Sequence, residues 1–211
     1  SNFFSENNVI KGDRILLISE NRPEWLISDL AIINLGAITV PNYITYTEKD
    51  FSFVIKNCTP KGLIVSNSQL FEKVMSAAKA LSYDFKFIIQ FESGNLSNVK
   101  YYNDIRNSNF VSKAKIKRKD PACIIYTSGT QGNPKGVILS HGGILSNCEG
   151  ALEIVKKIKK DNFKFLTWLP LSHSYEHTIQ FVQIAVGAKI YYSTKIEQLL
   201  ENIKLAKPDI M

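Results

Sequence analysis

A chain of 211 residues with 45% apolar content can bury the core of one domain or two, and its formal charge of +7 at pH 7 admits anionic partners. No apolar stretch reaches the roughly 18 residues of a membrane-spanning helix and no charged-then-apolar leader opens the chain, so a cytoplasmic setting is expected. Cys58, Cys123 and Cys148, an odd number without C-x-x-C spacing, argue against a disulfide framework or a zinc knuckle and read as inert thiols.

In chain order, short β-rich runs alternate with longer helical patterns. "RILLIS" (14–19) reads as a strand, "EWLISDLAIINLG" (24–36) as a helix, "ITVPN" (38–42) as a strand and "EKDFSFVIKNC" (48–58) as a helix. The rhythm continues with strand "GLIVSN" (62–67), helix "SQLFEKVMSAAKALS" (68–82) and strand "FKFIIQF" (85–91). Beyond a polar stretch come strand "ACIIYTS" (122–128), helix "HGGILSNCEGALEIVKKIKK" (141–160) and strand "FKFLTWL" (163–169). Helix "EHTIQFVQIAVG" (176–187), strand "KIYYS" (189–193) and helix "IEQLLENIKLAK" (196–207) close the series, with a new strand starting after Pro208. Such alternation predicts an α/β fold of mostly parallel, layered sheets crossed over by helices.

Periodicity is lost most sharply over 92–115, which predicts a long connection between sub-regions 9–91 and 120–211, the connection extending over 92–119. Its dense run "KAKIKRKD" (113–120) lacks interleaved aromatics and reads as a solvated connector, so no nucleic-acid partner is expected. The apolar spacing of 179–192 reads first as plain core and second as the lining of an acyl tunnel.

The stretch that carries chemistry is "YTSGTQGNPKG" (126–136). Gly129, Gly132 and Gly136 allow unusual backbone conformations and close approach of amides to a ligand. Thr127, Ser128 and Thr130 add hydroxyl donors, Gln131 an amide, and Lys135 a compact positive charge suited to phosphate oxygens. A loop at the carboxyl end of a parallel strand is where α/β folds place ligands, and the composition predicts a polyphosphate cradle followed by a helix capped at Ser140. It is not a Walker A loop, because Pro134 stands where the second glycine belongs. On composition alone a Gly/Ser/Thr-rich surface turn is the alternative.

The ordered string "YTSGTQGNPKGVILSH" resembles the phosphate-loop signature of the adenylate-forming (AMP-binding) acyl-CoA synthetases, luciferases and peptide-synthetase adenylation domains, with Gln131 where the family usually has Thr. Residues 12–66, with "NRPEW" and "GAITVPNY", and the segment "LTWLPLSHSYEHTIQ" (166–180) resemble long-chain fatty acyl-CoA synthetases, so the likeness covers nearly the whole chain. The resemblance implies that 1–211 is an incomplete N-terminal adenylation domain, without the family's C-terminal domain, from a long-chain fatty acid–CoA ligase. It implies ATP, Mg²⁺ and coenzyme A, with formation of an acyl-adenylate from a fatty acid and then of the thioester. By position in the motif, Thr127 would assist Mg²⁺ while Ser128, Gly129, Thr130, Gln131, Gly132 and Lys135 would hold the nucleotide. His173 would lie near the reacting carboxylate as the catalytic histidine, with Glu176 on the substrate side or organising the helix start. On the residues alone, His173 is a helix cap or surface group, and His141 a first-turn helix residue.

Two alternatives stand beside the ligase. "HSYEH" (173–177) satisfies H-x-x-E-H, in which His173 and His177 would bind zinc with Glu176 as base and Glu197 or Glu201 as third ligand. A nucleotide- or acyl-binding module without catalysis is the other, since the piece alone is expected to be inactive. Oligomeric state is not legible in these residues, and peripheral contact with a bilayer surface is left open.

Overall fold

The computed structural model describes residues 2–105, 114–127, 134–158 and 161–211. After a short helix α1 (Asn2–Glu6), strands β1 (Arg14–Ile18), β2 (Ile38–Asn42), β3 (Gly62–Val65), β4 (Phe87–Gln90), β5 (Lys100–Tyr101), β6 (Pro121–Thr127) and β7 (Lys135–Ser140) form one sheet. Its order is β5-β4-β3-β1-β2-β6-β7, and every neighbouring pair is parallel except β6 and β7. Strands from both sides of the polar connection therefore share one sheet, and the connection itself contributes β5 and the short helix α5 (Tyr102–Ile105).

The parallel strands read as nearly continuous apolar runs because both of their faces are covered. Successive β1 side chains alternate: Leu16 and Ile18 join Val40, Leu63 and Val65 under helices α3 (Glu48–Cys58) and α4 (Ser68–Ala80). Ile15 and Leu17 face the other way, with Ile64 and Ile89, against Trp25 and Ile32 of α2 (Pro23–Ile33) and Phe4 of α1. The first turn of α3 is fixed by a capping box, in which Thr47 Oγ1 accepts from Asp50 N (3.3 Å) and Asp50 Oδ2 accepts from Thr47 N (2.8 Å).

A second, two-stranded parallel sheet pairs β8 (Lys164–Thr167) with β9 (Lys189–Tyr192). It packs with α6 (His141–Val155), which runs on into a 3-10 turn at Lys156–Ile158, and with α7 (Ser174–Ala185), through Cys148, Val155, Phe163, Phe165 and Val182. After the turn Ile196–Gln198 comes α8 (Leu199–Ala206), and then Ile210 bridges Phe165 in parallel, where the sequence predicts a new strand. Ile179, Phe181 and Val186 pack against this second core, so the apolar spacing of 179–192 is largely core.

The principal departure from the sequence reading is β7. Residues 135–140, read there as loop leading to a helix, form an antiparallel strand, so the glycine-rich motif begins in β6 and ends in its ladder partner β7. The expectation absorbed these residues into the loop because β7 is an edge strand whose Val137 and Ile138 are exposed, leaving no burial period to read. The helix cap predicted at Ser140 is present: its Oγ accepts from Gly143 N at 3.1 Å. Among the described residues no helix is long and apolar enough to cross a membrane.

Candidate functional site

Because β6 runs parallel to β2 in the register Thr39↔Cys123, its end stands at the carboxyl edge of the sheet, level with the turn that follows Asn42. Thr127 and Lys135 face each other as the last pair of the β6–β7 ladder, both exposed. The hairpin thus presents a hydroxyl and a cation at the two roots of its tip. Residues Ser128, Gly129, Thr130, Gln131 and Gly132 lie outside the described residues.

The third glycine of the motif has a different reason for being bare from the one its sequence suggests. Gly136 has ordinary strand geometry, not a left-handed one. A Cβ there would sit 2.9 Å from Ile124 Cγ2 and 3.3 Å from the Tyr126 ring, so the space is taken by side chains of the partner strand.

Beside this edge a cleft of about 210 Å³ opens between the two sheets. The turns after β1 and β2 line it with Glu20, Asn21 and Tyr43, and the turns after β8 and β9 with Trp168, Ser172 and Ser193. Carboxyl ends of parallel strands from two sheets therefore converge, the position at which α/β folds take ligands. Asn21 staples the sheets together: its Nδ2 donates to Leu169 O at 2.8 Å and its Oδ1 accepts from Leu171 N at 3.1 Å.

His173 lies on the same edge as the N-cap of α7, where its Nδ1 accepts from Tyr175 N at 3.3 Å. Using Nδ1 as acceptor puts the proton of the neutral ring on Nε2. The cap reading of His173 and its place in the turn after β8 are thus compatible. Glu176, in the first turn of α7, is buried, and burial pushes its pKa up to about 7 against a hydrogen bond from Thr167. Thr167 is free to donate because its Oγ1 already accepts from Gln180 Nε2 and Gln183 Nε2, each at 3.1 Å. Tyr192 donates to Gln180 Oε1 at 3.3 Å. This buried network of Glu176, Thr167, Gln180, Gln183 and Tyr192 holds the root of α7, and the glutamines within an apolar helix pattern were its overlooked sequence signal.

The H-x-x-E-H alternative is corrected by the geometry. His173 is a cap outside the helix, whereas His177 is 1% exposed with both ring nitrogens engaged: Nε2 with Asp29 Oδ2 at 2.8 Å and Nδ1 with Cys123 Sγ at 3.6 Å. Burial works to lower the His177 pKa, but the Asp29 carboxylate prevails and raises it to about 10. His177 is a buried cation tying α7 to α2 and β6, and among the described residues no group of three His, Cys, Asp or Glu is placed to hold a metal ion. His141 opens α6 at the opposite end of β7 from Lys135, so it belongs to the amino edge of the sheet, as its first-turn reading has it.

The family model described as "AMP-binding enzyme" matches residues 1–211. The chain is 27% identical over 216 residues to fatty acyl-CoA synthetase A of Dictyostelium discoideum, covering 95% of this chain and 32% of that protein. It is 28% identical to mouse long-chain-fatty-acid–CoA ligase 5, covering 92% of this chain and 31% of the relative. The chain thus spans about a third of the length of the curated relatives it matches. Among solved structures, the red-emitting luciferase of Phrixothrix hirtus superposes with a TM-score of 0.85 at 20% identity, over 97% of this chain and 41% of that one, which shows a shared fold.

Proposed function

Since this chain belongs to the AMP-binding enzyme family, we propose that the protein carrying it is an ATP-dependent fatty acid–CoA ligase. The observation that supports this most is the β6–β7 hairpin, which sets Thr127 opposite Lys135 at the carboxyl edge beside the inter-sheet cleft. Residues 1–211 are then part of its adenylation domain, built from sub-regions 9–91 and 120–211 with 92–119 between them. The activity is assigned to a protein of the relatives' length, and this third of it is expected to be inactive alone.

In the proposed reaction the fatty acid carboxylate attacks the α-phosphate of ATP, pyrophosphate leaves, and the thiol of coenzyme A displaces AMP from the acyl-adenylate. Displacement at phosphorus asks the protein for positioning and charge neutralisation. Lys135 supplies a fixed cation for the β- and γ-phosphates, with Ser128, Gly129, Thr130, Gln131 and Gly132 as the donors of the tip. Mg²⁺ usually keeps several waters and binds through substrate phosphates plus few protein oxygens, and a site offering the Thr127 hydroxyl fits that habit. When bound, it would neutralise phosphate charge. His173, with its proton on Nε2, donates a hydrogen bond toward the reacting carboxylate, and Glu176 holds the helix start beneath it.

The test is an assay of the full-length protein on a panel of acids, following ATP- and CoA-dependent thioester formation. Long-chain fatty acids are expected as substrates, and Lys135→Ala to weaken ATP use by about a hundredfold or more, the cost of one preorganised donor; Gly129→Val, which keeps the backbone donor but adds a branched side chain where amides are to approach the ligand, is expected to weaken it as well. Preference for aryl or aminoacyl acids, or unchanged ATP use in both variants, would overturn the assignment.

A further inference from the structure

Tyr126 is the last residue but one of β6 and is held from several sides. It is 2% exposed, and its hydroxyl donates to Asn57 Oδ1 at 2.6 Å in the last turn of α3. Its ring meets Phe53 of the same helix edge-on, with centroids 6.2 Å apart. Its carbonyl accepts from the Tyr46 hydroxyl at 3.4 Å, next to the capping box that starts α3. Across the ladder its partner is Gly136, where the space a Cβ would need is partly filled by the Tyr126 ring itself. Both roots of the hairpin therefore rest on one side chain: Thr127 is bonded to Tyr126, and Lys135 to the glycine laid against its ring.

We propose that Tyr126 is a positioning residue for the nucleotide: by anchoring its phenol on Asn57 it fixes the β6–β7 roots to α3 and holds Thr127 and Lys135 in place for the triphosphate. The inference rests on the ATP reading above and deepens it. Burial, followed by the neighbouring Cys58, raises the Tyr126 pKa, so the phenol keeps its proton and remains a donor throughout the physiological range. Asn57 is exposed and can be hydrated without a tyrosine, whereas the buried Tyr126 hydroxyl depends on this acceptor, so the short bond pins the phenol, and the hairpin it carries, to α3.

The experiment is steady-state kinetics of the full-length protein with Tyr126→Phe, which keeps the ring and removes the donor. The KM for ATP should rise about fivefold, the equivalent of one ordinary hydrogen bond, while the KM values for fatty acid and coenzyme A move by less than about twofold. Asn57→Leu should reproduce that change, and the double variant should be no worse than either single one. Asn57→Asp, which keeps an acceptor for the phenol, should retain the lower KM. If Tyr126→Phe only lowers the thermal midpoint or the active fraction, with the KM for ATP unchanged, while Lys135→Ala still impairs ATP use, the positioning role is overturned and the ligase reading stands. If Lys135→Ala is also silent, it is the reading of the turn that fails.

Discussion

At the scale of single residues, two buried ionisable groups dictate opposite responses to substitution. Glu176 has a folded pKa raised to about 7 from an ordinary value near 4.5, so the folded state holds its proton where the unfolded state has lost it. Its contribution is therefore present below about pH 4.5 and is lost as pH rises through about 7. Glu176→Gln should stabilise the protein by about 2 kcal/mol at pH 8 and by little at pH 5, as read by urea unfolding at both values. His177 has the other sense of charge and a later window. Paired with Asp29, it contributes fully below about pH 6.5, and that stability is lost as pH rises through about 10. Asp29→Asn removes the carboxylate that sustains the imidazolium, so burial drives His177 neutral and the pair is lost, which should cost about 3–5 kcal/mol at pH 7 and flatten the decline in stability between pH 7 and 10.

Neither group was legible as such in the sequence. The Asp29–His177 pair joins residues 148 positions apart, and no local pattern connects them. The same separation explains why H-x-x-E-H looked like a zinc helix: helical spacing put two histidines on one face, but the first is a cap and the second is spoken for by Asp29. Glu176 could be named from its neighbourhood in the motif, while its environment depended on Gln180 and Gln183 turning inward, against the usual exposure of glutamine.

At the scale of elements, the parallel strands and their helices could be read because each was bounded by punctuation: Gly36 with φ +71° ahead of β2, the Thr47 box ahead of α3, and Asn67 capping α4 through Leu70 N at 2.9 Å. The hairpin could not, since a strand is recognised by what it buries and β7 buries little. Its tight point is internal. Gly136→Val would drive a side chain into Ile124 and the Tyr126 ring, so it should destabilise the protein by about 1–3 kcal/mol and weaken ATP use together. Gly150 on α6, where a Cβ meets nothing within 4 Å, is the matched control: Gly150→Ala should be neutral or slightly stabilising in the same thermal and kinetic measurements.

At the scale of the molecule, two sheets offer the carboxyl ends of their strands to one cleft and are held in that relation by Asn21 and by the Asp29–His177 pair. The architecture leaves apolar faces uncovered in this chain: Ile196, Leu200 and Leu205 near its end are 70–75% exposed, and Ile138 on the β7 edge is 62% exposed. An isolated chain with such faces should self-associate, and Leu200→Lys with Leu205→Lys should reduce that association in light scattering.

The most direct measurement of the central claim is a crystal structure of the full-length protein with a non-hydrolysable ATP analogue and Mg²⁺. The account predicts the triphosphate within the β6–β7 turn, with Lys135 Nζ in hydrogen-bonding range of its terminal oxygens and Tyr126 still bonded to Asn57. A triphosphate bound elsewhere, with Thr127 and Lys135 turned to solvent, would contradict it.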